Sequence, residues 1–385
     1  MGMLAVYAAH ELTTSRLHDE PPTVYRSEYQ RDRERIIRSS AFRRLEYKTQ
    51  FLIHHEGRLS RNWLIYVLEV AQIGRAIARA LKLNEDLTEA IILGQHLGQP
   101  PFGQAGEESL KQCMQPYGGF EPCVQALRIV DELEERYPNF RGLNLTFDSR
   151  EGLLKECSVK QAKLLGAVGA RFLREHPTPP SLEAQIAHTC EIITQIALDT
   201  DDALYARLIS IRQLRDQPLF KEHYAAVLKQ WPQLSQRRAI QETHRRMIHE
   251  QVTNIIETSA AHLDALQPKN IERVRLAEEP MITFSATMYE KHMQLVQLLR
   301  SQVYQHYQAR RILFKAQQTI QRLFELFTND LGLLPLEVQI EAQRLQAQLG
   351  SDKGKARAVS DYLTTLNDNE VIVEYEHLLN PSHFP

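Results

Sequence analysis

The stretch NWLIYVLEVAQIGRAIARAL (62–81), followed by NEDLTEAIILGQHL (84–97), decides the fold class. Trp63, Leu64, Val67, Leu68, Ala71, Ile73, Ile77 and Leu81 recur three and four residues apart, which makes one broad apolar stripe on a helix. Asn84 to Leu97 repeats the pattern, so two core helices are expected side by side. Outward from them the same periodicity continues. A helix is expected from Ser181, with Glu183 just behind it, to residue 198, and another is expected to begin at the acidic run Asp199, Asp201, Asp202. Long amphipathic helices are expected over 235–264 and 284–328, the latter broken near Tyr307. A few residues of 138–149, which contains FRGLNLTFDS (140–149), could be extended, but nothing reads as a βαβ unit or a glycine-rich phosphate loop. The fold class read from the chain is all-α.

The composition agrees with a folded helical protein. There are 16 glycines and 17 prolines in 385 residues, 43% hydrophobic and 24% charged, the usual mix of globular chains. Lys plus Arg number 46 and Asp plus Glu 48, a net charge of −2, which argues against a chain built wholly to bind polyanions or acidic membranes. The cysteines Cys113, Cys123, Cys157 and Cys190 are widely spaced with no CxxC pair, which argues against a disulfide framework and against a cysteine-rich zinc module. No leader pattern opens the chain and no window of about 18 uncharged apolar residues occurs, so a cytoplasmic protein without membrane partners is expected. The segment 264–283, with Pro268 and Pro280, is expected to divide a helical core (1–265) from a helical C-terminal lobe (266–385). Residues 349–356 read as an exposed loop.

Seven stretches, in order along most of the chain, closely resemble the dGTP triphosphohydrolase family of the HD-domain superfamily. They are SEYQRDRERIIRSSAFRRLEYKTQ (27–50), HEG (55–57), LEVAQIGRAIARALKLNEDLTEAIILG (68–94), PFGQAGEE (101–108), ERYPNFRGLNLT (135–146), DTDDAL (199–204) and KARAVSDYL (355–363). The resemblance implies an HD-domain helical fold with a helical C-terminal lobe, assembly as hexamers, and cleavage of a dNTP to deoxynucleoside and triphosphate. It also implies a divalent metal held by a His, an adjacent His-Asp pair and a further Asp, which would polarise a phosphate and activate water.

The sequence departs from the family at those positions. Tyr66 stands where the first His is expected, Gln95 and His96 stand in place of the His-Asp pair, and Glu191 falls at the remaining Asp. Gln104 replaces a His that, in the family, looks like the partner of the glutamate matching Glu107, and Glu107 alone is retained. Leu97, Gly98, Phe102, Gly103, Ala105 and Gly106 match, so the scaffold is kept while the imidazoles are exchanged for amides and a phenol. An amide is a poor transition-metal ligand and cannot relay a proton near neutral pH, and a phenol of reference pKa about 10 would need a large shift to ligate.

The expectation is therefore a catalytically degenerate member with no bound cofactor, acting as a structural or regulatory subunit. It would form a homo-hexamer or a mixed oligomer with an active paralogue, or act as a nucleotide-responsive binder. One alternative is an active, divergent dNTP triphosphohydrolase whose Mg, Mn or Zn site is rebuilt from His96, His188 and Glu191. In either case Arg43, Arg44, Lys48 and Gln50 are candidate contacts for a dNTP, Arg being suited to phosphate. The other alternative is a module for single-stranded DNA using the basic segments 31–44 and 237–246.

Overall fold

The computed structural model describes residues 4–50, 61–154, 157 and 180–381, and the HEG motif at 55–57 lies outside them. Among the described residues every regular element is a helix, and the extended pairing amounts to an isolated antiparallel bridge between Thr49 and Asn62. The described helices are α1 (Glu28–Arg38), α2 (Ser40–Arg44), α3 (Trp63–Ala80), α4 (Glu85–Gln95), α5 (Gln104–Met114), α6 (Pro122–Arg128), α7 (Phe147–Leu153) and α8 (Leu182–Tyr205). They continue with α9 (Ile211–Arg215), α10 (Pro218–Gln230), α11 (Gln236–Leu266), α12 (Ile271–Arg275) and α13 (Ala286–Leu299). The last are α14 (Tyr307–Asn329), α15 (Leu336–Leu349), α16 (Ser351–Thr365) and α17 (Asp368–Leu379).

The two expected core helices are α3 and α4, each started by an asparagine whose Oδ1 accepts from the third backbone N–H: Asn62 from Ile65 and Asn84 from Leu87. They pack on one another and on α8, and Val67, Val70, Ile77, Leu87, Ile91, Ile186 and Ile193 are fully buried there. This first core extends to Leu295, Leu299 and Val303, on the C-terminal side of residue 265. A second core joins Leu110 and Met114 of α5 to Ile320, Leu323 and Phe327 of α14 and to Val359 and Leu363 of α16. α5 is therefore held by the C-terminal helices.

Three expectations about local structure are corrected. The helix from Ser181 does not end at 198: α8 runs on to Tyr205, so Asp199, Asp201 and Asp202 belong to its last turns and open no new helix. Acidic groups oppose the macrodipole at a helix C-terminus. Here Arg61 compensates, pairing with Asp202 at 3.0 Å, while Gln241 donates to Asp201 at 2.9 Å. The stretch 349–356 is not a loop, because α16 begins at Ser351 and the turn from α15 is made by Gly350 at φ 90°. Gly354 serves contact rather than flexibility, since a Cβ there would lie 2.3 Å from the Gln346 backbone N. Finally, 140–149 forms no strand: Leu143 N–H donates to Val130 O, Asn144 turns through φ 48°, and α7 starts at Phe147.

Among the described residues no helix is long and apolar enough to cross a membrane.

Candidate functional site

A cavity of about 530 Å³ opens between the N-terminal end of α3, the C-terminal half of α8, the start of α5 and the segment 296–313. Each wall has a local cause. Asn62 both caps α3 and pairs with Thr49, which sets Gln50 beside Trp63 and Tyr66. The turn before α5 passes so close to this bridge that a Cβ at Gly103, where φ is +53°, would lie 3.2 Å from Thr49 O. Phe102 also has positive φ (62°), and its N–H donates to Asp368 Oδ1 at 2.8 Å. Two consecutive residues in this conformation aim Gln104 and Glu107, on the first turn of α5, into the cavity. After α13 the chain widens into a π turn over Arg300–Tyr304, which carries Arg300 and Tyr304 onto the same wall as Val296.

The positions singled out by sequence meet at the floor of this cavity. His96 is buried and stacked on Trp63 (centroids 4.9 Å), with Tyr66 edge-on at 5.6 Å. Gln95 Nε2 lies 3.0 Å from His96 Nε2 and donates to Glu191 Oε2 at 3.3 Å, while Glu191 Oε1 is 3.5 Å from His96 Nε2. The direction of the Gln95–His96 contact follows the imidazole tautomer. The Tyr66 hydroxyl donates to the Glu191 backbone carbonyl at 3.3 Å. Tyr66, Gln95, His96 and Glu191 thus form one connected neutral and acidic cluster.

Other candidates are placed differently. Glu107 lines the cavity and pairs with Lys111 one turn on, and Gln104 donates to Glu108 at 3.2 Å. His188 is exposed, and His96, His188 and Glu191 do not bring three ligand atoms within 4.8 Å of one another. Of the four substrate candidates only Gln50 lines the cavity. Arg43 is exposed and Arg44 half-buried on α2. Lys48 is buried, and its Nζ donates to Gln99 O (2.7 Å) and Thr364 O (2.6 Å), tying the loop before α5 to the end of α16. Burial, reinforced by Arg44, lowers its pKa to about 7. A neutral amine has two N–H donors, the number these two carbonyls accept.

Sequence reasoning missed Trp63, Gln99, Arg300 and Tyr304 as lining groups, and read Asp199 only as a helix start. Asp199 is fully buried beneath the cavity and accepts a short hydrogen bond from the Tyr304 hydroxyl. Burial pushes its carboxyl up to about 7, the charge of Asp202 adds to this, and Tyr304, Arg61 and Gln195 oppose it. The same burial, with Asp199 beside it, raises the Tyr304 hydroxyl well above the usual phenol range. Among the described residues the lining carries four amides (Gln50, Gln99, Gln104, Gln195), three carboxyl groups (Glu107, Glu191, Asp199) and the guanidinium of Arg300 at the rim. Such a wall suits a ligand read by hydrogen bonds and ring contacts.

Five of the arginines in the basic segments are paired within the chain. Arg31, Arg33 and Arg35 pair with Glu28, with Asp86 and Glu89, and with Glu20 respectively, while Arg245 and Arg246 both hold Glu242.

Comparison with known proteins assigns the chain. Residues 282–377 match the model of the phosphohydrolase-associated domain. A deoxyguanosinetriphosphate triphosphohydrolase-like protein of Bordetella pertussis is 45% identical over 383 residues, covering 98% of this chain and 97% of the relative. Proteins of the same description from Ralstonia pickettii (45% over 378 residues, 98% and 95% covered) and Thiobacillus denitrificans (44% over 375 residues, 97% and 96% covered) match equally along their lengths. With identity of this order over nearly the whole of both chains, the protein belongs to the dGTP triphosphohydrolase family of the HD-domain superfamily.

Proposed function

We propose that this chain is a catalytically degenerate dGTPase-like protein that keeps the ancestral cavity for binding and acts as a structural or regulatory subunit. The observation that carries the reading is the Tyr66, Gln95, His96 and Glu191 cluster, in which the side chains at the expected metal positions are bonded to one another. That donor set does not fit the family's divalent ion. Gln95 offers only a neutral and weak ligand atom, and Tyr66 donates its proton to a carbonyl. Glu107, the retained acid, faces Lys111 and has a glutamine, not an imidazole, three residues before it. No proton relay follows from these groups near neutral pH.

The wall is also poorly disposed toward a free triphosphate. Among the described residues, three carboxyl groups against one guanidinium would oppose four negative charges, even with Asp199 protonated. A nucleoside-like ligand, read by amides and stacked against Trp63, is the better match in chemistry. Assembly into a homo-hexamer or with an active paralogue draws support from apolar side chains left exposed on the C-terminal helices, among them Phe314, Leu336 and Ile340.

Turnover of a panel of dNTPs with Mg, Mn and Co tests the reading, paired with mass measurement of the complex from its native cell. Absent triphosphate release together with a mixed oligomer is the expected result. Release that is lost in His96→Ala would instead establish the active, divergent hydrolase, and a strongly salt-dependent affinity for single strands would move the reading to a nucleic-acid module.

A further inference from the structure

Outside the cavity, the fold gathers two cysteines that the sequence keeps far apart. Cys123 lies in the first turn of α6, and Cys157 follows α7. Their Sγ atoms and a carboxylate oxygen of Glu121 all lie within 4.8 Å of one another, with Cys123 Sγ 3.8 Å from Glu121 Oε2. All three side chains are half-buried. Among the described residues no other group of His, Cys, Asp and Glu is gathered this closely.

We propose that Glu121, Cys123 and Cys157 form a binding site for one soft divalent cation of the zinc type. The donors are those such an ion takes: two thiolates and a carboxylate, with the fourth tetrahedral position left to water. The spacing agrees, since metal–sulfur bonds of about 2.3 Å in a tetrahedron hold ligand atoms roughly 3.5–3.8 Å apart. The backbones of Glu121 and Cys157 are each held by a hydrogen bond. Gln125 N–H donates to Glu121 O (2.9 Å) and Cys157 N–H to Leu154 O (2.8 Å). Gly98 lets α6 approach until a Cβ there would lie 2.1 Å from Pro122 O.

The hydrogen bond with Cys157, then burial, then the charge of Glu121 push the Cys123 thiol far above its ordinary pKa. Binding converts two S–H groups and one carboxylate to three metal bonds, with two protons passing to solvent. Because α6 packs on Gly98, two residues beyond His96, the ion would brace the loop between α4 and α5 from behind.

Cobalt titration of full-length protein, purified without a metal-affinity tag and stripped with chelator, tests this. One equivalent should give thiolate-to-cobalt charge-transfer absorption that zinc abolishes, with release of about two protons per ion. Cys123→Ser and Cys157→Ser should each lose the band and Glu121→Gln should weaken binding about tenfold, while Cys113→Ser and Cys190→Ser keep it. Zinc should also protect Cys123 and Cys157 of the wild-type protein from alkylation, a readout independent of whether the variants fold. A wild-type protein with no band, a band that survives Cys123→Ser in a folded variant, or a Cys123–Cys157 disulfide that persists in reductant and excess zinc would overturn the proposal.

Discussion

Replacing Asp199 by asparagine is expected to make the protein more stable at pH 8 and to change little at about pH 4. In the folded chain the buried carboxyl keeps its proton to about pH 7, whereas its ordinary value is 3.8. The folded state therefore binds an extra proton between those values, and stability falls as pH rises through that window. A shift of about 3 units corresponds to about 4 kcal/mol, fully present above pH 7 and absent below about pH 4. The group is fully buried, so solvent screening does not reduce this figure much. Asparagine retains an acceptor for the Tyr304 hydroxyl while removing the charge. Glu183 is also fully buried and held at about 7, mainly by burial, so the wild-type curve contains two such slopes. The difference between variant and wild type isolates one. Urea unfolding at a series of pH values measures it, and parallel curves for the two proteins would refute the reasoning.

Other perturbations probe the supports of the cavity. Lys48→Met should narrow the stability gain that the wild type shows on going from pH 7 toward 10.5, because a buried amine lowered to about 7 sheds its proton on folding in that range; urea midpoints on both sides of pH 7 report it. Arg128→Ala should cost about 1.5–3 kcal/mol, since it removes a 2.6 Å charged hydrogen bond to the buried Asp361, to which Gln125 Nε2 still donates at 2.9 Å. Arg79→Ala, which breaks an equally short pair with Glu85 in the open, should leave the unfolding midpoint almost unmoved. Gly354→Ala should destabilise by about 1–3 kcal/mol by forcing α15 and α16 apart, and an unchanged midpoint would show that the helices can yield.

The helical class and the family could be read from residues alone, for physical reasons. Apolar spacing in 62–97 reports a face buried against other helices, and Asn62, Asn84 and Ser181 mark starts because their side chains satisfy backbone donors locally. That residues 66, 95 and 104 are Tyr66, Gln95 and Gln104 and not histidines is a matter of residue identity, and needs no coordinates. The misreadings have a common origin. Gly350 and Gly354 look alike in sequence, yet one turns the chain and the other admits a neighbouring helix. Asp199, Asp201 and Asp202 look like a helix start because the compensating Arg61 is 141 residues from Asp202.

By itself, then, the sequence determined the period of the helices and their caps, both of which depend on residue type and near neighbours. Tertiary structure decided which groups meet: Arg300 and Tyr304 entering the cavity through a π turn, Lys48 committed to two carbonyls, and Cys123 brought to Cys157. Such encounters follow from how helices pack over long sequence separations, where no local spacing records the distance between two side chains.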